Sequence, residues 1–208
     1  MKTSVLFLFL AATLAFGQYK LEPAGAAPSE LAPALAAELQ PGTRILNPDG
    51  SVLCEVWVRK TAPSGEKSVE PNVVFPAIPH GALLGAIRFT GTGADRRGQQ
   101  LKPGVYTLRY SLYPVDGAHQ GVAPQRDFAV LALAADDKDP AALPAYEPLM
   151  KMSSKASGTP HPAILSIAPP LGDAPNPGMV KEGEHDWMFN TRIGDTPMGI
   201  ILVGTFEG

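Results

Sequence analysis

The stretch that decides the fold is Leu101-Lys102-Pro103-Gly104-Val105-Tyr106-Thr107-Leu108-Arg109-Tyr110-Ser111-Leu112-Tyr113. Its second part alternates between apolar and polar residues, which is typical of a β-strand with one buried face. One face carries Tyr106, Leu108, Tyr110 and Leu112, and the other carries Thr107, Arg109 and Ser111. Pro103 fixes φ and Gly104 permits a tight turn, so the strand is predicted to begin directly after them. The pattern indicates a half-buried antiparallel strand over 105–113.

Further strands are predicted on both sides of this one. They are expected at 51–60, 82–90, 128–133, 185–190 and 199–206. The strands at 185–190 and 199–206 are expected to form a hairpin. The runs at 128–133 and 199–206 are apolar on both faces, which is typical of central strands. Short strands separated by Gly/Pro turns, with only two weak helices, predict an all-β fold, an antiparallel β-sandwich of immunoglobulin-like, prealbumin-like or jelly-roll-like type.

The turn Leu101-Lys102-Pro103-Gly104-Val105-Tyr106 resembles the L-x-P-G-x-Y corner of secreted bacterial β-sandwich modules, such as prealbumin-like and immunoglobulin-like accessory domains. The resemblance covers about ten residues and implies an edge-to-strand turn, without an activity. Members of those families often act as binding or spacer modules.

The chain begins with a predicted signal peptide, residues 1–17. Lys2 precedes the apolar run 5–14, and Ala15 and Gly17 supply small residues at a cleavage site. The run is short of the roughly 20 residues that cross a bilayer, which disfavours the alternative of an uncleaved anchor. Cleavage is expected between Gly17 and Gln18. No transmembrane segment is predicted in the mature chain, and we expect a secreted or periplasmic protein.

Composition narrows the class of protein. The chain has 208 residues, a formal net charge of −3, and 21 glycines and 22 prolines. Without a basic cluster no nucleic-acid partner is predicted, and Arg96-Arg97 is interpreted as part of a solvated Gly-rich loop. The single cysteine, Cys54, cannot form an internal disulfide and is predicted to lie in the core. Export without disulfides favours a bacterial protein.

Two segments depart from the strand pattern. Residues 18–42 form an Ala/Pro-rich N-terminal segment, in which a short helix is expected from Ser29, as N-cap, to Leu39. Pro33 implies that this helix bends or begins later. Residues 43–208 are predicted as a single β-sandwich domain, interrupted at 134–184 by a long loop excursion with a helix over 146–155. Because loops of this length often carry function, the excursion is a candidate lid.

A metal site is the main chemical alternative. Asp116 and His119 lie in a polar loop that leads to Asp127, and His185 is expected nearby from another loop. Carboxylate and imidazole groups bind divalent ions, so these four residues are a candidate metal set. The competing interpretation is a solvated turn with Arg126 pairing Asp127. No catalytic residue and no organic cofactor is predicted, since no common nucleophile, phosphate-loop or metalloprotease motif is present in the sequence.

The two tryptophans are candidates for ligand stacking. Trp57 lies on the strand face opposite to Cys54, and Trp187 lies in a later strand. Flat aromatic rings stack on sugars, so carbohydrate is a possible partner, together with another envelope protein. The competing expectation is that the excursion covers Trp57, because large aromatic side chains are highly buried on average. The sequence thus favours an exported, non-enzymatic binding, envelope-associated or structural module, with the metal-binding protein or metal-dependent enzyme as the alternative.

Overall fold

The computed structural model describes residues 18–114, 126–170, 172 and 176–205, and within them the chain is mostly β. The twelve strands are β1 (Lys20–Gly25), β2 (Gly42–Leu46), β3 (Val52–Val58), β4 (Leu83–Phe89), β5 (Gly93–Ala94), β6 (Gln100–Leu101), β7 (Gly104–Leu112), β8 (Asp127–Leu133), β9 (Ile164–Ala168), β10 (Gly178–Glu182), β11 (Asp186–Ile193) and β12 (Thr196–Val203). The two helices are α1 (Pro33–Ala37) and α2 (Tyr146–Ser157).

Ten of the strands form one antiparallel sheet in the order β1-β2-β3-β4-β7-β8-β9-β12-β11-β10. The sheet curls nearly into a barrel, so that its two edge strands, β1 and β10, approach each other. Strands β5 and β6 form a separate two-stranded hairpin between β4 and β7. The predicted all-β antiparallel character is therefore confirmed.

The inner face of the curled sheet holds the main hydrophobic core. Alternate residues of β7 point into it, including Tyr106, Leu108 and Tyr110, as their spacing predicts. Cys54 lies in the same core, fully buried, which confirms its predicted position. The Tyr106 hydroxyl donates to the Lys102 carbonyl oxygen at 2.7 Å and so fixes the Pro-Gly turn that precedes the strand.

The helices cover the outer face of the sheet. Leu35 of α1 packs with Trp57 and Leu83, whereas Leu149 of α2 packs with Phe128 and Ile164. Helix α2 ends at Gly158, whose left-handed conformation (φ 69°) lets its N–H reach the Ser154 carbonyl. Neither helix in the described part of the chain has the length and apolar character needed to cross a bilayer.

Three local predictions need correction. The N-terminal segment contains strand β1, which pairs with β2. Helix α1 begins only at Pro33 and follows Ala32, without a side-chain cap from Ser29, because proline is accepted at the first helical position. In the strand predicted at 82–90, the alternation predicts that Leu83, Ile87 and Phe89 face inward. Leu83 instead packs on the outer face, since the register of β4 against β7 shifts between Leu83 and Gly85.

The excursion at 134–184 is more than a loop. It contains α2 and also strand β9, which lies between β8 and β12 in the middle of the sheet. Ser153 connects the two, because its hydroxyl donates to the Ala163 carbonyl at 3.1 Å and accepts the Ala163 N–H at 2.8 Å. This part of the chain thus belongs to the sheet and its cover.

Candidate functional site

The predicted metal set is only partly within the described residues. Asp116 and His119 lie outside them. Asp127 is completely buried at the start of β8, and its carboxylate accepts hydrogen bonds from the backbone N–H groups of Val74 and Phe75, both at 3.0 Å. It accepts a third from the Tyr110 hydroxyl at 2.6 Å. Because these three donors engage its carboxylate oxygens, Asp127 anchors the backbone at residues 74–75.

His185 lies in a different environment from Asp127. Its side chain is largely exposed in the turn between β10 and β11, with Nε2 3.7 Å from a Glu184 carboxylate oxygen. Over residues 18–114, 126–170, 172 and 176–205, no group of three His, Cys, Asp or Glu side chains is placed to hold a metal ion.

Trp57 lies beneath the N-terminal segment. Only 1% of the residue is exposed, and its indole N–H points to the carbonyl oxygens of Gly25 and Ala26, both at 3.1 Å. The Arg88 guanidinium lies 5.5 Å from the ring centroid. Residues around β1 and α1 supply the cover that we expected from the excursion, and the ring presents no face for a sugar in this conformation.

Trp187 is half-buried and pairs with Tyr19. Their ring centroids are 4.9 Å apart with an interplanar angle of 59°. The pair joins the residue before β1 to β11, next to the place where the sheet edges approach. Burial raises the pKa of the Tyr19 hydroxyl, consistent with a packed ring. The structure does not bring the two tryptophans into one stacking surface.

A serine–histidine contact on the outer face of β7 was missed in the sequence. Ser111 Oγ lies 3.2 Å from His80 Nδ1, and the imidazole packs 6.0 Å from the Tyr146 ring of α2. Burial lowers the pKa of His80, which keeps the ring neutral. Because Ser111 is completely buried, a substrate has no access to its hydroxyl, and the contact serves to pack α2.

A concave site lies at one end of the curled sheet, beneath the β5–β6 hairpin. We call it the end pocket; it has a volume of about 420 Å³. Its apolar lining includes Leu53, Phe89, Leu165 and Leu202, which belong to the main core or pack against it. Its polar lining comprises Thr92, Asp95, Arg96, Gln100 and Thr205.

Arg96 is the central polar group of the end pocket. The residue is 8% exposed, and its guanidinium holds Asp186 through two hydrogen bonds, Nη1–Oδ1 at 2.9 Å and Nη2–Oδ2 at 2.5 Å. The remaining guanidinium nitrogen, Nε, is buried, and its N–H has no hydrogen-bond partner among the described residues. A buried donor without a partner is costly, and because this atom is itself buried it is not open to a ligand in the pocket.

Glu182 lies beside this ion pair as the cross-strand partner of Asp186. Its Oε2 atom is buried without a hydrogen-bond partner in the described structure. Burial, and then the negative charge of Asp186, raise the pKa of Glu182, whereas Arg96 lowers it. Gly204 makes room here, since a Cβ at that position would overlap Asp186 Oδ1.

The sequence interpretation of Arg96 as a solvated loop residue is wrong. Its burial depends on Asp186, ninety positions along the chain, and on a hairpin that folds across the end of the sheet. The Gly-rich loop around Arg96 follows from the sequence, but nothing in the local pattern indicates which side of the loop faces a cavity.

In comparisons with known proteins, the chain matches no protein-family model, no curated protein and no solved structure.

Proposed function

We propose that this protein is an exported, non-enzymatic binding protein that holds a small amphipathic molecule in the end pocket. The observation that carries the proposal is the lining of this pocket, which combines an apolar floor with the polar residues Thr92, Arg96 and Gln100. Sites for small molecules combine these two elements: mostly apolar walls and a few placed polar groups that orient the ligand.

The size and place of the pocket support this function. A volume of about 420 Å³ falls within the range of small-molecule sites, and the open ends of curled β-sheets are a common place for them. The floor residues Leu53 and Leu202 are only partly buried and pack on the core, so a ligand would remove further apolar surface from water.

The proposal also includes export of the protein and its assignment to the β-sandwich modules. The apolar run before Gly17 supports processing by a signal peptidase, and the Pro-Gly corner at 103–104 supports kinship with immunoglobulin-like, prealbumin-like or jelly-roll-like sandwich modules. The proposal excludes a carbohydrate stacked on Trp57, because the N-terminal segment covers that ring.

The proposal is tested by titrating the exported protein, its N terminus defined by mass spectrometry, with N-phenyl-1-naphthylamine. This uncharged probe fluoresces when it enters an apolar site. We expect saturable binding with one site per chain. Absence of any saturable rise in fluorescence would refute the proposed function.

A variant at the rim locates the binding. Thr92 lines the pocket and is exposed, so Thr92→Phe is expected to narrow the entrance and weaken probe binding about tenfold or more, which corresponds to about 1.4 kcal/mol. Thr61→Phe is the matched control, because Thr61 is also exposed but lies outside the pocket lining. Equal binding by both variants would place the probe elsewhere and contradict the proposal.

A further inference from the structure

Export gives the mature chain a glutamine at its amino terminus. Cleavage between Gly17 and Gln18, which the sequence predicts, frees the α-amine of Gln18. An N-terminal glutamine carries a nucleophile, the α-amine, and an electrophile, the side-chain carboxamide carbon Cδ, in one residue. Because only Cα, Cβ and Cγ separate the two groups, their reaction closes an unstrained five-membered ring, and the intramolecular arrangement favours it.

The fold leaves both reacting groups of Gln18 free. The residue is exposed, and its side-chain amide makes no hydrogen bond within the part of the chain that the structure describes. The pairing of β1 with β2 begins only at Lys20, so the backbone nitrogen of Gln18 takes no part in the sheet. The carboxamide can therefore turn onto the α-amine without breaking a contact of the folded protein.

The residue that follows Gln18 is held in place. Tyr19 is half-buried and its ring packs on Trp187, with ring centroids 4.9 Å apart, while Lys20 lies opposite Leu46. The new ring uses only atoms of Gln18, so it forms outside this contact and leaves it intact. The modified residue then extends only one position beyond an anchored side chain.

We propose that Gln18 is a modification site, at which the mature chain cyclises to an N-terminal pyroglutamate. The α-amine nitrogen attacks Cδ, an N–Cδ bond forms, and the Cδ–Nε2 bond breaks with release of the amide nitrogen as ammonia. The step is neither an oxidation nor a reduction and needs no co-reactant. Its product is a lactam, so the mature chain loses the positive charge of its α-amine and offers no free amine to aminopeptidases. This inference rests on the export that the proposed function includes.

The test is the mass of the exported protein and of its N-terminal fragment, measured at harvest and after several days at pH 7.5 and 37 °C. We expect a chain that begins at Gln18 and is lighter than its sequence by about 17 Da, the mass of ammonia. A chain that begins at Gln18 and keeps its free amine after the incubation refutes the modification and leaves export standing. A chain that still carries Met1 refutes export itself, and a chain that begins at any other residue refutes Gln18 as the site.

A matched variant assigns the loss of ammonia to this residue. Gln18→Asn keeps the carboxamide but shortens the side chain by one methylene, so that only a strained four-membered ring could form. We expect this variant to keep its free amine and its full mass under the same incubation. An equal loss of ammonia from Gln18→Asn would place the reaction at another residue and overturn the proposal.

A rate comparison tests whether the fold leaves Gln18 free. Residues 18–208, released from an N-terminal fusion so that Gln18 becomes the first residue, are incubated folded and in guanidinium chloride. We expect the two cyclisation rates to agree within about threefold, because the reacting groups are equally accessible in both states. A folded chain that cyclises more slowly than that would show that the packing around Tyr19 restrains Gln18, which contradicts the proposal.

Discussion

Arg109 holds Asp137 through two parallel hydrogen bonds of 2.7 Å on the outer face of β7. The same guanidinium donates to the carbonyl oxygens of Gly81, Asp139 and Ala142, and Thr107 donates to Asp137 at 2.6 Å. Both charged side chains are almost completely buried. Every donor of Arg109 thus has a partner, and the pair ties the segment after β8 to the sheet.

Removal of one partner should strongly destabilise the protein. Asp137→Asn leaves the Arg109 charge buried without its counter-ion, which is expected to lower the free energy of unfolding by about 3–5 kcal/mol. The neighbouring Asp136→Asn is the control, because Asp136 pairs with the exposed Lys155 and such pairs contribute about 0–1 kcal/mol. Urea unfolding followed by circular dichroism measures both. Similar losses in the two variants would contradict a structural role for the buried pair.

The packing of helix α1 over the Trp57 ring gives a second prediction. Leu35 is completely buried against this ring, so Leu35→Ala should destabilise the protein by about 2–5 kcal/mol. It should also shift the Trp57 emission to longer wavelength, as water reaches the indole. Leu143→Ala is the control, because Leu143 is more than half exposed and should change stability by less than about 0.5 kcal/mol. Trp57 emission that does not move in Leu35→Ala would argue against the cover.

His80 predicts a loss of stability in mild acid. Burial lowers the pKa of His80 below its ordinary value of about 6.5, so in mild acid the unfolded chain binds a proton that the folded chain does not. The stability contributed by neutral His80 is complete above about pH 6.5 and is lost as the pH falls through its lowered folded pKa. Melting curves from pH 8 to pH 5 should therefore show a weaker pH dependence in His80→Asn than in the parent chain. The exposed His161, changed to Asn, should leave the dependence unaltered.

Cys54 should behave as an unreactive core thiol. Burial, and then the negative charge of Glu55, raise the pKa of its thiol, which suppresses the thiolate that reagents attack. Ellman's reagent should modify the native protein only as fast as it unfolds, and completely in denaturant. A surface thiol made by Ser64→Cys in a Cys54→Ala background should react at once and serves as the positive control. Rapid modification of native Cys54 would contradict the described burial.

Local patterns predict the parts of this fold that depend on neighbouring residues. The alternation in β7, the apolar run of β8 and the β11–β12 hairpin all follow from side-chain spacing and turn residues, and the structure confirms them. The inward position of Cys54 follows from the same period of two. In each case the information lies within about ten residues.

Long-range pairing decides the parts that the sequence does not reveal. Strand β1 contains Pro23, which is unfavourable in most strands, and it is accepted because β1 lies at an edge of the sheet. Strand β9 follows a helix and a proline-rich turn, and only its pairing with β8 and β12 places it centrally. The pocket position of Arg96 has the same origin, since its partner Asp186 lies in the second-to-last strand.

The contact between Tyr19 and Trp187 has a consequence for the order of folding. One ring lies just before the first strand and the other in the second-to-last, so the sheet can curl to its final shape only after nearly the whole chain has been made. Contacts of such long sequence separation form slowly. Closure of the curled sheet by this contact is therefore expected to be a late step in folding.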